Sequence, residues 1–173
     1  MVVAEFLQDV FISLRLTLIS FSYLNMTIYA FYIFDRHCSC IYSREFSLRG
    51  DSGSLNTNNE SDVAKLLFGM VYSLKNMAQK LAPDTVPNLL RSFSTGYYRV
   101  HFLESLTNFK FALVSDLSVD CLQDQLWHLY SDIFVNTVAF NALSPVEFGE
   151  SKIQNAHFVS QSDSYLRSLA VFS

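Results

Sequence analysis

Glycine is scarce in this chain, with five in 173 residues, and there is no G-x-x-x-x-G-K-[ST] run. That shortage leaves no loop whose backbone amides could cradle phosphates, which argues against an autonomous nucleotide hydrolase. Charge is sparse as well: 16% of residues are charged, the net charge is −4, and the 12 basic residues are scattered. Without a basic patch there is no electrostatic footprint for nucleic acid, so DNA and RNA are not expected as partners. The three cysteines are an odd number, which points to reduced thiols in the cytosol rather than a disulfide framework. A cleaved secretory signal fits poorly: Glu5 and Asp9 precede the first apolar run, Arg15 interrupts it, and no small-residue cleavage pattern follows.

What the chain has in excess is apolar surface. Hydrophobic residues make up 50% without counting glycine, and aromatics 15%, against a typical apolar share of about 45–50% that includes glycine. A chain of this length is most simply one domain with a sizeable core. The surplus implies apolar surface hidden in a partner.

Residues 16–34 carry no charge and approach the length that spans a bilayer. Thr17, Ser20, Ser22, Asn25 and Thr27 dilute that stretch, and its second half, residues 28–34, is rich in the β-branched and aromatic residues of a strand covered on both faces. A turn at Asp35, Arg36, His37 and Cys38 leads into a second strand over residues 39–46, and together they make an opening β-hairpin. A polar loop over residues 47–60 follows. Ser61 reads as a helix cap, and Val63, Leu66, Leu67, Met70, Val71, Leu74, Met77, Ala78 and Leu81 recur at helical spacing as a core stripe ending before Pro83. Residues 89–94, 97–104 and 109–115 read as three strands of a meander. Residues 119–142 read as a second long helix, stopped by Ser144 and Pro145, and 158–169 as a last helix. As a bare peptide, residues 3–20 have the spacing of an amphipathic helix, with Phe6, Val10, Leu14 and Leu18 on one side.

The hairpin around Phe34, Asp35 and Arg36 resembles the N-terminus of the smallest sybindin-type, longin-fold subunits of the TRAPP vesicle-tethering complex. Residues 91–101, with Ser92, Thr95, Tyr98, Arg99, Val100 and His101, are similar to that family's S-x-x-T-x-x-Y-R-V-H pattern. Residues 111–116, 129–135 and 164–169 resemble its next strand, second long helix and end. The likeness runs in order from Met26 to the C-terminus. It implies an α+β, longin-like fold, a five-stranded antiparallel sheet with helices packed on it in the order β-β-α-β-β-β-α-α. Residues 26–173 form the domain. Residues 1–25 are an extension extraneous to it, of the kind that an upstream start codon or an unspliced intron would add. The implied function is that of a non-enzymatic scaffold in transport between endoplasmic reticulum and Golgi. Other TRAPP subunits would be its direct partners, a Rab GTPase would be reached through the complex, and membrane association would be peripheral.

Independently of that likeness, two apolar strips stand outside the helical core rows: Phe68 and Tyr72 on the first helix, and Trp127, Phe134 and Val138 on the second. They form the candidate partner interface. Gly69, in mid-helix, costs about 1 kcal/mol relative to alanine and reads as permitting close approach of a strand or a neighbouring subunit. Arg99 and His101 share a strand face that reads as solvent-facing, with Glu104 on the other. The reactive side chains offer little. His37, Cys38 and Cys40, with Cys121 and His101, His128 or His157, have the wrong spacing for zinc. Cys38 with His101, or Ser115 beside Asp116, lacks any hydrolase context. No catalytic, cofactor or metal residue is therefore expected. Two other classes stay open: a membrane-anchored longin-domain trafficking factor and a small cysteine hydrolase.

Overall fold

The computed structural model describes residues 28–46, 60–83, 88–149 and 151–172. The elements are β1 (Ile28–Phe34), β2 (Cys40–Glu45), α1 (Glu60–Leu81), β3 (Ser92–Ser94), β4 (Arg99–Glu104), β5 (Lys110–Ser115), α2 (Gln123–His128, continuing over Leu129–Ala139) and α3 (Ala156–Ser168). The expected order is observed, with β3 and β4 shorter than the sequence suggests. The expectations for residues 1–25, including the helix over 3–20, and for the loop over 47–59 lie outside the described residues. Helix α1 begins at Glu60, so Ser61 lies inside it and not at its cap.

The strands form one antiparallel sheet in the order β2-β1-β5-β4-β3. Central β1 and β5 are buried on both faces, which is why their sequences are apolar without alternation. A bulge in the β1–β5 ladder between Ile28 and Ala30 places Ile28 with Phe31 and Ile33, and Ala30 with Tyr32 and Phe34 on the opposite face. At the far edge the Ile153 N–H donates to the Ile41 carbonyl at 2.8 Å, so a stretch of loop covers part of β2.

Two of the three hairpins, β1–β2 and β4–β5, are closed by the same turn built from different residues. In the first, Asp35 N–H donates to the Ser39 carbonyl, Cys38 N–H to the Asp35 carbonyl, and Ser39 N–H to Asp35 Oδ1 at 2.8 Å. In the second, Ser105 pairs with Phe109, Asn108 N–H donates to the Ser105 carbonyl, and Phe109 N–H donates to Ser105 Oγ at 3.0 Å. Each turn has one left-handed residue, Cys38 at φ 69° and Asn108 at φ 63°. The first is an Asx-type closure in which Asp35 is buried.

Two cores flank the sheet. Helix α1 covers one face, packing Ala64, Leu67, Val71 and Phe68 on Tyr32, Phe34, Val100 and Phe102. Helices α2 and α3 cover the other, over Phe31, Ile33, Phe111 and Leu113. Over Leu129–Ala139, α2 winds as a π-helix, and Phe140 N–H reaches the Val135 carbonyl five residues back at 2.9 Å. Asn136 Nδ2 and Thr137 Oγ1 donate to the carbonyls of Asp132 and Ile133, four residues back, occupying acceptors that α-winding would use. Asn155 joins the end of α2 to the start of α3: its Oδ1 accepts from the His157 and Phe158 amides, and its Nδ2 donates to the Thr137 carbonyl at 2.6 Å.

Candidate partner interface

The two apolar strips expected outside the core meet different fates. Phe134 and Val138 are each 2% exposed. Phe134 lies against Phe109, Phe111, Tyr130 and Phe158, within the chain's own core. Their assignment to an interface is corrected by the π-winding. Over the π-wound stretch Leu129, Ile133, Phe134, Thr137 and Val138 are all buried, so Phe134 and Val138, expected to face outward, lie on the packed side. Phe68 is half-buried, packed on Phe34 at 5.5 Å between ring centres, with the Lys110 ammonium 5.9 Å from its ring. It belongs to the α1-side core. Tyr72 and Trp127 remain, each more than half exposed.

Helix α1 sits rotated from the expected stripe. The face against the sheet is Ala64, Leu67, Phe68 and Val71, while Val63, Leu66, Met70, Met77 and Leu81 of the expected core row point to solvent, Leu66 at 71% exposure. Gly69 lies on this outer face, and a Cβ built on it meets nothing within 4 Å. Among the described residues no strand approaches it, against that half of the expectation. On α2, Trp127 stands edge-on to Tyr130 at 5.6 Å. It borders a cleft of about 360 Å³ that also contains Lys75 of α1, Leu89, Arg91, Glu104 and Asp124. Lys75 pairs with Glu104 on its floor. Lys75 of α1 and Trp127 of α2 thus border one cleft on the β3–β4 side of the sheet.

The remaining motif residues act inside the fold. Thr95 Oγ1 accepts from the Tyr97 and Tyr98 amides and closes the β3–β4 turn. Arg36 donates to the Val146 carbonyl at 3.0 Å. Arg99 and His101 are not solvent-facing as expected. Because α2 covers that sheet face, Arg99 Nη1 donates to the Val119 carbonyl at 2.6 Å, and His101 is fully buried. Both fasten the segment that leads into α2. His101 Nε2 lies 2.9 Å from Ser115 Oγ, and its Nδ1 accepts from the Leu122 amide. Ser115 donates to the Asp116 carbonyl, so the imidazole donates through Nε2 to the hydroxyl. Burial is the main cause that lowers the His101 pKa to about 4, with the Arg99 charge adding to it.

This histidine–serine pair has the residue types of a catalytic dyad with the proton on the wrong side for general-base work, and both groups are fully buried. The sequence reading missed the pair because it joins residues 14 apart across the β4–β5 ladder, where His101 faces Leu113 and Arg99 faces Ser115. Strand alternation was the available signal. Cys38 and Cys121 are exposed, Cys40 packs against the α1-side core, and His37 faces Glu147 at 3.7 Å. Among the described residues no three His, Cys, Asp or Glu converge on a metal site. Nor is any described helix long and apolar enough to cross a membrane.

The profile of the Sybindin-like family matches residues 28–169. The chain belongs to the Sybindin-like family. Among similar proteins is the trafficking protein particle complex subunit BET5 of Saccharomyces cerevisiae, 41% identical over 153 residues, covering 82% of this chain and 96% of that one. Human trafficking protein particle complex subunit 1 is 32% identical over 148 residues, covering 86% and 97%. The transport protein particle subunit bet5 of Schizosaccharomyces pombe is 32% identical over 158 residues, covering 85% and 100%. The family match begins at Ile28, the first residue of β1.

Proposed function

We propose that this sybindin-like chain is a non-enzymatic core subunit of a TRAPP complex, a scaffold in transport between endoplasmic reticulum and Golgi. It acts from the cytoplasm, held peripherally on those membranes, and supports tethering and Rab guanine-nucleotide exchange by the assembled complex. The observation that carries this reading is the 41% identity to BET5 over 96% of that subunit's length. The exposed apolar row on α1, with Gly69 among its residues, supports it physically. A mid-helix glycine costs about 1 kcal/mol against alanine, a cost that no described residue within 4 Å explains but that a neighbouring subunit packed there would. Exchange requires no nucleophile: an assembly that binds the nucleotide-free GTPase more tightly than the nucleotide-bound form releases the nucleotide through that difference in affinity.

The test is affinity purification of a chain beginning at Met26 and tagged at its C-terminus, with mass spectrometry of what co-elutes. Recovery of several other small TRAPP subunits in near-equal amounts is the expected result. A clean monomer without partners overturns the reading.

A further inference from the structure

Strand β3 is short, Ser92–Ser94, and among the described residues it is the outermost strand of the sheet on its side. Phe93 packs on the α1-side core, while Ser92 and Ser94 are exposed on the opposite face. The ladder with β4 sets Ser94 directly across from Arg99. Arg99 Nε donates to Ser94 Oγ at 3.0 Å, while Nη1 of the same guanidinium holds the Val119 carbonyl. Nε and Nη2 form one edge of the planar fork, so that edge can take two phosphate oxygens while Nη1 keeps its carbonyl. A phosphate on Ser94 thus finds its counter-charge in place. Upstream, Leu89 is 67% exposed and Arg91 is exposed too, five and three residues before Ser94. An apolar and a cationic side chain at that spacing are what a protein kinase grips when its substrate groove has an apolar pocket followed by an acidic one. Only three residue pairs hold β3 to β4, so the acceptor segment can be drawn out by local opening of the edge.

We propose that Ser94 is a phosphorylation site, modified by a kinase that reads Leu89 and Arg91 and held afterwards by Arg99. Ser94 Oγ attacks the γ-phosphorus of ATP, the bond from that phosphorus to the bridging oxygen breaks to release ADP, and the hydroxyl proton passes to the base of the kinase. The product places a charge of about −1.5 to −2 on the last strand of the sheet, where any chain adding to that edge would meet it. Modification of the isolated chain requires no other subunit, so its outcome is independent of the assembly reading.

The test incubates the full chain with the catalytic domain of a calmodulin-dependent kinase and magnesium ATP, then locates phosphate by digestion and mass spectrometry. Phosphate is expected at Ser94 and is lost from that peptide in Ser94→Ala. Arg91→Ala, whose thermal unfolding should still be a single cooperative transition, should lower the initial rate about tenfold, as expected for one charge-assisted contact. Followed by phosphorus NMR, the second ionisation of the phosphoserine should lie below its ordinary value of about 6 in the folded chain. It should return toward that value in Arg99→Gln, and equally when the unsubstituted chain is unfolded in urea, a comparison that needs no variant to fold. Absence of phosphate at Ser94, a rate indifferent to Arg91→Ala, or an ionisation unchanged by unfolding overturns the proposal.

Discussion

On one side of the sheet, Phe31, Ile33, Phe111 and Leu113 lie under α2 and α3, and the aromatic residue at the centre of that cover, Phe134, is almost wholly buried. On the other side α1 works alone, burying Ala64, Leu67 and Val71 while Leu66, Tyr72, Met77 and Leu81 remain exposed. The helices are similarly apolar, yet one is used up by its own fold and the other is left with a surface to offer. The contrast separates residues that hold the domain together from residues that could hold it to something else.

The largest effect should come from the sealed side. Phe134→Ala removes a ring packed against four others and should destabilise the domain by about 3–5 kcal/mol, measured by urea unfolding. Acid should act there next. The unfolded chain protonates His101 near pH 6.5, while burial keeps the folded imidazole neutral down to about 4. Between those values the unfolded state binds more protons, so stability falls as the pH drops. At about 1.36 kcal/mol per pH unit the loss reaches about 3 kcal/mol, with no further loss from this group below pH 4. His101→Gln should flatten that slope in unfolding curves taken from pH 7 to pH 4.

Smaller effects belong to the open side. Gly69→Ala should raise stability by up to about 1 kcal/mol, because its Cβ enters empty space, whereas Gly69→Leu should lower the recovery of co-purifying subunits without unfolding the chain. Leu66→Asp should change stability by no more than about 0.5 kcal/mol and still cut that recovery at least tenfold. If Leu66→Asp destabilised the isolated domain as much as Phe134→Ala, the two sides would not differ in kind.

Much of the architecture was legible. The β-branched run before Asp35, the period of α1 and the turns before β4 and β5 place the elements correctly, because each pattern is local. The rotation of α1 was not legible: Val63, Leu66 and Met70 are as apolar as Leu67 and Val71, and small Ala64, which marks the docked face, adds little to the pattern. Phe134 and Val138 were misplaced because the sequence was read with α-helical spacing, and the side chains of Asn136 and Thr137 support a wider winding. The role of His101 depends on ladder register and on α2 covering its face, both of which are tertiary. Of the residues expected to lie outside the core, Tyr72 and Trp127 are exposed, and so are Leu66 and Met70, which the helical pattern had assigned to the core.

The open face of α1 also bears on how much of this protein a cell would keep. Apolar side chains left in water attract chaperones and proteases, and a modest change in such exposure alters steady-state abundance. A copy made in excess of whatever covers Leu66, Tyr72, Met77 and Leu81 would be cleared sooner than a covered one. The helix that leaves its leucines outside would then act as a counting device, matching the number of surviving chains to the number of places waiting for them.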